Sequence, residues 1–442
     1  MINLLIFLLY ILVIFSVTYY YRLKRERPTQ KNYLVSNREL GTWDVAFSSS
    51  AAVFSSAGVL FAFGLALAFG MPGFGIMVAF LLTPLLLAIF APALNELARE
   101  KKILTLSDII RERFGLYSEK IYAFISVAFM FGWMVGAFNI NIALLERFLE
   151  VDKYFATIIS FSIVITYLTV GGFRAIVKTD KLQFLVMLLF SITMVSFINN
   201  PVPVAETIDF SLWFSGAFWL LAPVFFWGNI ANTAAWQPVI AARNGRVARN
   251  GMLLSVILGF LFYGPIIWLS STFARDLPGI NPNLALFEGI GTLFPNFLTP
   301  LLFIAVYAAM MSTLDTSLFY TASNTIKNLF PKKLKENLNE VALIKLFLIL
   351  FAFVAIISSF FIEGFVEFTI AIFPIIGITA FPLLFGLFTK LPDKGVFSAM
   401  ILGLISFFYL FFFPPENSLW NMFPALSTGF VILLLLFFKN KN

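Results

Sequence analysis

The chain has no cysteine and no histidine in 442 residues. These absences remove disulfides, thiol nucleophiles, Cys/His zinc sites, haem ligation by His and any Ser-His-Asp triad. Most hydrolytic and redox chemistry is excluded, and any proton relay falls to carboxylates rather than imidazole. Charge is also scarce: 12% of residues are Asp, Glu, Lys or Arg, against 60% hydrophobic, and the mean hydropathy is +0.93. Such a balance cannot be arranged around an aqueous surface. The expectation is an all-α polytopic membrane protein, a single membrane domain over 1–442 with no soluble domain. Residues 1–20 lack a basic n-region and a small-residue cleavage site, so they read as a retained span and not a signal peptide.

Apolar runs bounded by charge, Pro or Gly predict thirteen spans, near 2–21, 43–69, 73–98, 118–147, 154–172, 180–199, 213–241, 252–274, 297–325, 342–361, 365–389, 395–413 and 421–438. Each is long enough to cross a hydrocarbon core of about 30 Å. If they alternate, only Arg147, Lys153 and Arg275 of the 30 Lys and Arg fall on one side. The rest lie opposite, a positive-inside pattern that predicts the N-terminus outside, the C-terminus in the cytoplasm and a multi-pass protein of the cell membrane. The formal charge of +7 is then carried by short cytoplasmic loops and calls for the lipid bilayer as a partner, not a nucleic acid.

Four places break the greasy pattern. The run Ser48 to Gly58 in span two is small and hydroxyl-rich. It either lets helices pack closely or marks a break around Ala51 to Ser55 that frees carbonyls for a hard cation. Span nine holds Ser312, Thr313, Asp315, Thr316 and Ser317 just beyond Ala308-Ala309. A carboxylate at that depth marks a functional site, and Asp315 sits about 200° round the helix from Thr313, so one cation need not touch both. Span seven carries Trp227, Asn229, Asn232, Thr233, Trp236 and Gln237, which suit either a polar organic solute or interhelical hydrogen bonding; the uneven polarity favours a cavity. The fourth is the cytoplasmic turn Gly171 to Asp180, running into a helix with Gln183, where Thr179 or Asp180 is a candidate cap; Asp44 has the same capping role open to it.

Four separated motifs resemble the sodium/solute symporters, the family of the sodium/proline, sodium/pantothenate and sodium/glucose transporters. They are Arg38-Glu39-Leu40-Gly41-Thr42-Trp43 leading into the Ser/Ala run, Thr105-Leu106-Ser107-Asp108 through Arg113-Phe114-Gly115, Gly171-Gly172-Phe173-Arg174-Ala175 through Thr179-Asp180 and Gln183, and Ser312-Thr313-Leu314-Asp315. A fainter likeness lies in Gln237-Pro238 and Ala241-Ala242-Arg243-Asn244.

The resemblance implies a LeuT-like core of two inverted five-helix repeats. Residues 42–200 would form the first (spans two to six) and 201–390 the second (spans seven to eleven), with an extra helix and loop over 1–41 and two helices over 391–442. It further implies a sodium site formed by the carbonyls of Ala51, Phe54 and Ala309 and the hydroxyls of Ser312 and Thr313. Ser55, Asp180 and Asp315 would be coupling neighbours, and Asn229, Asn232, Thr233, Trp236 and Gln237 the candidates for lining the solute. Where the sodium/proline member carries an Asp in span two, this chain has Val53, which weakens that assignment. The expected function is sodium-coupled uptake of a small polar organic solute, with Na⁺ as the coupling ion, no organic cofactor and no catalytic residue. A proton-coupled transporter of the same fold and a non-transporting membrane sensor are the alternatives.

Overall fold

The computed structural model describes residues 2–23, 29–53, 56–198, 210–277, 279–283, 285–335, 338–414 and 423–439. The described residues are helical apart from short connections and one isolated bridge between Leu40 and Ala242. That follows from the solvent: hydrocarbon offers no hydrogen-bond partner, so each spanning segment must satisfy its backbone internally.

In chain order the principal helices are α1 (Ile2–Leu23), α2 (Thr42–Val53), α3 (Ser56–Phe69), α4 (Met71–Glu100), α5 (Leu106–Phe114), α6 (Leu116–Leu149), α7 (Lys153–Phe197), α8 (Ala217–Ala231), α9 (Thr233–Ala241) and α10 (Gly245–Asp276). They continue with α11 (Ala285–Leu293), α12 (Thr299–Asn324), α13 (Glu340–Ser359), α14 (Phe365–Gly377), α15 (Ala380–Gly386), α16 (Asp393–Phe412) and α17 (Phe423–Lys439). Among the described residues ten helices are long and apolar enough to cross a membrane. Of the remaining apolar stretches, α8–α9 is interrupted at Asn232 and α17 is shorter, while Phe54 and Ser55, on which the break expected around Ala51 to Ser55 falls, lie outside the described residues.

Helix α12 is the central pillar. In the span that contains it, 83% of the most apolar window is buried, against 22% for α1, whose Leu5, Leu8, Leu9 and Leu12 face outward as a lipid-exposed helix requires. The pillar packs against α6, α7 and α1. Its far end widens into a π-helical turn, Thr325–Leu329, and Asn328 there ties it to the amphipathic helix α5. The Asn328 amide donates to Asp108 and Glu119, both at 3.0 Å, and its carbonyl accepts from Thr105 at 3.0 Å. Thr105 and Asp108 also form the capping box that starts α5.

The stretch Gly171 to Asp180 departs from the turn expected there. Only Gly172 leaves helical geometry (φ 65°, ψ −175°), and helix resumes at once, so Thr179 and Asp180 sit within α7 and cap nothing. Glycine makes this economy possible, because a positive φ costs it no Cβ clash. The Thr179 hydroxyl donates back to the Ala175 and Ile176 carbonyls, and Asp180 is left free to face a neighbouring helix.

Two glycines at the start of α4 permit backbone contact. A Cβ on Gly73 would lie 2.5 Å from the Leu65 carbonyl oxygen and 2.9 Å from the Ala66 Cα, all backbone that cannot rotate away. Gly73→Ala is therefore expected to destabilise the protein by about 1–3 kcal/mol, the usual range for overpacking, read as a lower thermal midpoint in detergent.

Candidate functional site

Three helices meet at one buried carboxylate. The small side chains of α2 let it approach α7 and α12 closely enough for hydroxyls to reach across. Asp180 on α7 is 1% exposed and accepts from Ser48 Oγ of α2 at 2.8 Å and from Ser312 Oγ of α12 at 3.0 Å. Ser312 Oγ also lies 3.4 Å from the carbonyl oxygen of Ala51, at the C-terminal end of α2. A hydroxyl carries one proton, so Ser312 serves Asp180 or Ala51 at any moment, and the nearer carboxylate is the better acceptor.

One residue on, the Thr313 hydroxyl bonds back to the Ala309 carbonyl at 3.3 Å. Of the five positions expected to hold sodium, Ala51, Ala309, Ser312 and Thr313 are buried at this junction, while Phe54 lies outside the described residues, as does the neighbouring Ser55. The donors at the junction are carbonyl and hydroxyl oxygens with one carboxylate beside them, a set that suits a hard monovalent cation.

Asp315 occupies a separate environment. It is fully buried and accepts from Tyr167 Oη and, at 3.1 Å, from Thr316 Oγ1. Tyr167 precedes the Gly172 kink and Asp180 follows it, so the two arms of α7 each present a polar group to the pillar. Tyr167 was not singled out in the sequence. Its only signal is a phenol within an apolar span, a pattern that also fits a residue of the interfacial belt.

The polar residues of span seven divide into two sets. Trp236 donates to the Ile230 carbonyl at 2.6 Å across the α8–α9 break, and the Asn232 side chain caps α9 by accepting from Ala234 N at 2.9 Å. The Gln237 amide donates to the Leu34 and Leu104 carbonyls at 3.0 and 2.9 Å, binding α9 to the loops beyond α1 and α4. Asn95 adds to the same seam by donating to the Val239 and Ala242 carbonyls at 2.8 and 3.0 Å. By contrast, Asn229 Oδ1 and Thr233 Oγ1 are buried without a hydrogen-bond partner. Near them Trp227 stacks on Phe381 at 4.6 Å between centroids. Unsatisfied groups of this kind cost about 1–3 kcal/mol each, which makes them natural places for a ligand or water.

Asp44 does more than cap. One carboxylate oxygen accepts from Gly41 N at 3.4 Å and the other pairs with Lys178 at 2.6 Å, joining the start of α2 to α7 two residues before Asp180.

A helix broken at Asn232 and a buried junction of carbonyl, hydroxyl and carboxylate oxygens are the features of a LeuT-like secondary transporter. The similarity extends to sequence. The profile of the sodium:solute symporter family matches residues 33–206 and 216–403, and the chain belongs to that family. It is 25% identical over 349 residues to the sodium/pantothenate symporter of Escherichia coli K12, covering 73% of this chain and 71% of the relative. A Na⁺-coupled sialic acid symporter, solved substrate-bound and outward-open, superposes with a TM-score of 0.83 over 98% of this chain and 96% of its own, at 17% identity. The nucleobase-cation-symport-1 transporter Mhp1, closed around bromovinylhydantoin, superposes with a TM-score of 0.59 at 16% identity, covering 92% of this chain and 96% of its own. The chain is a multi-pass transporter of the plasma membrane that couples a solute to sodium.

Ser48 separates a packing role from a polar one. Ser48→Ala removes one of two hydroxyls on Asp180 and is expected to destabilise the sodium-free protein by about 1–3 kcal/mol, with an equally small residue in its place. An unchanged thermal midpoint would reduce Ser48 to packing.

Proposed function

We propose that the chain imports a small polar organic solute by alternating access, with one Na⁺ held by the carbonyls of Ala51, Phe54 and Ala309 and the hydroxyls of Ser312 and Thr313. The observation that carries this reading is the placement of Ser312, whose hydroxyl stands between the Ala51 carbonyl and Asp180. With Na⁺ present, a Ser312 lone pair faces the ion while its proton remains on Asp180, so the carboxylate polarises a ligand without entering the cage. The ion then joins α2 to α12, and every structure in which those helices separate is disfavoured.

The interrupted segment α8–α9 supplies the solute contacts. Asn229 and Thr233, whose Oδ1 and Oγ1 are buried without a partner, are the contacts proposed on this side of the cavity, and Trp236, Asn232 and the donating amide of Gln237 hold the break in shape. The α8–α9 break in the stretch 201–390 and the small, hydroxyl-rich run of α2 in the stretch 42–200 support the reading of these as inverted repeats. Residues 1–41 and 391–442 flank that core. The basic loops support an outside N-terminus.

Coupling is reciprocal: a solute whose affinity rises with Na⁺ must raise Na⁺ affinity by the same factor. One charge moving inward down about 100 mV supplies about 2.3 kcal/mol, equivalent to roughly fiftyfold accumulation before any sodium gradient is counted. Carbonyl and hydroxyl donors do not titrate near neutral pH, which favours Na⁺ over H⁺ in the cage. The chain acts as a transporter rather than an enzyme.

In proteoliposomes, Ser312→Ala/Thr313→Ala is expected to raise the Na⁺ concentration for half-maximal uptake at least tenfold; an unchanged sodium dependence would remove the site. Solute identity is read from a thermal-shift panel with and without Na⁺, beginning with pantothenate, the solute of the Escherichia coli relative. The expected hit stabilises only with sodium present, and a solute that stabilises equally in potassium and in sodium, at acid pH alone, would argue for proton coupling. Because the native chain has no cysteine, a single Cys at position 2 gives an unambiguous topology probe: labelling by an impermeant maleimide from outside is expected.

A further inference from the structure

We infer that the protein carries a binding site for a phosphate-bearing anion between the segment after α1 and the end of α4, apart from the sodium and solute sites. A cavity of about 650 Å³ opens there, lined by Lys31, Asn37, Arg38, Arg99, Lys102 and Leu104. Among the described lining residues, Lys31, Arg38, Arg99 and Lys102 are cations and none is acidic. That volume exceeds what side-chain packing needs and falls in the range of small-ligand sites.

Four like charges around one cavity repel one another, and they are not neutralised locally. Among the described residues no ion pair involves Lys31, Arg38, Arg99 or Lys102, while Glu39 pairs with Arg174 at 3.6 Å and Glu112 with Lys101 at 3.1 Å. The key residue is Arg38, only 9% exposed. One terminal nitrogen donates to the Ile103 carbonyl at 2.5 Å, but its Nε is buried with no hydrogen-bond partner. Burial and the charge of Arg99 together pull its pKa below the usual guanidinium value. A guanidinium in this position is costly unless an anion completes its fork.

The backbone is shaped to hold the cluster. Ser36, Asn37, Arg38 and Lys102 all adopt positive φ, at 47°, 55°, 63° and 54°. For residues with a Cβ such conformations cost about 1–3 kcal/mol each and persist only where surroundings enforce them. Here they turn Arg38 inward and bring Lys102 round from the end of α4 to face it.

Occupancy has a structural consequence. The same two segments provide the carbonyls of Leu34, Ile103 and Leu104, which accept from Gln237, Arg38 and Gln237 respectively. An anion bridging Arg38 and Lys31 to Arg99 and Lys102 would pin both segments beneath α9 and so stabilise closure on this face. A phosphate oxygen shell matches the guanidinium fork and the lysine point charges. Its source is either an anionic lipid headgroup, since α1 and α4 end here, or a soluble phosphate.

The full-length protein, delipidated and kept in potassium salts so that sodium is absent, distinguishes these. Thermal midpoints are measured with potassium pyrophosphate in detergent, in phosphatidylglycerol nanodiscs and in phosphatidylcholine nanodiscs, with potassium chloride at matched ionic strength as the reference. A rise of at least about 3 °C is expected with one phosphate source. Pyrophosphate alone sufficing identifies a soluble anion, and phosphatidylglycerol exceeding phosphatidylcholine with no pyrophosphate effect identifies a headgroup. In Lys31→Gln/Lys102→Gln, which leaves the Arg38 bond to Ile103 in place, either rise should fall by half or more. Shifts no larger than those with chloride and phosphatidylcholine, or shifts unchanged in the double variant, would overturn the site.

Discussion

The interaction on which the architecture turns is a carboxylate in a low-dielectric interior. Asp180 has no cation within the contacts described and is held by two hydroxyls from two other helices, Ser48 on α2 and Ser312 on α12. An isolated buried charge is among the most expensive things a fold can contain, and hydroxyl donors offset only part of that cost. The helices carrying those donors are therefore linked through the carboxylate, and anything that improves its surroundings favours the conformation in which all three meet. A monovalent cation at the Ser312–Ala51 junction would do so without contact to the carboxylate itself.

Around that centre the pillar is continuous while α8–α9 is broken. The pillar α12 runs unbroken through its buried length; Ser312 and Asp315, three residues apart, share a face, with Thr313 about 100° round from Ser312. Asn232 separates α8 from α9 with extended backbone geometry. Gly172 bends α7 within one residue, so its two arms deliver Tyr167 and Asp180 to the same pillar. On the basic face, Gln237, Asn95 and the Leu40–Ala242 bridge form a seam that couples the α8–α9 break to the loops beside the cation-lined cavity.

Much of this was legible in the sequence, for physical reasons that differ by feature. Long apolar runs announce spans because lipid leaves the backbone no alternative to helix. Ser312 and Thr313 were legible because hydroxyls and a carboxylate stand out in an apolar segment. Asp180 was legible only as a cap or a coupling residue, because a single glycine absorbed a turn that composition spreads over ten positions. Tyr167 was hidden, since a phenol in a span has an ordinary interfacial explanation. The polar residues of span seven looked alike in sequence, yet Trp236 and Asn232 are spent on nearby backbone, while Asn229, Thr233 and the Oε1 of Gln237 retain unpartnered atoms. That distinction depends on which carbonyls lie within 3 Å, and no sequence pattern encodes it. The cavity among Lys31, Arg38, Arg99 and Lys102 was equally invisible, because positive-inside charge accounts for each cation singly.

The central claim is that Na⁺ binds where Ser312 mediates between Ala51 and Asp180. Equilibrium binding of ²²Na⁺ to purified protein, compared between the native chain and Asp180→Asn, addresses it most directly. The asparagine variant keeps the size of the side chain and removes its charge, so affinity is expected to fall about tenfold or more, as with loss of a partner that orients a ligand, while binding stays saturable. Equal affinity in the two proteins would contradict the account.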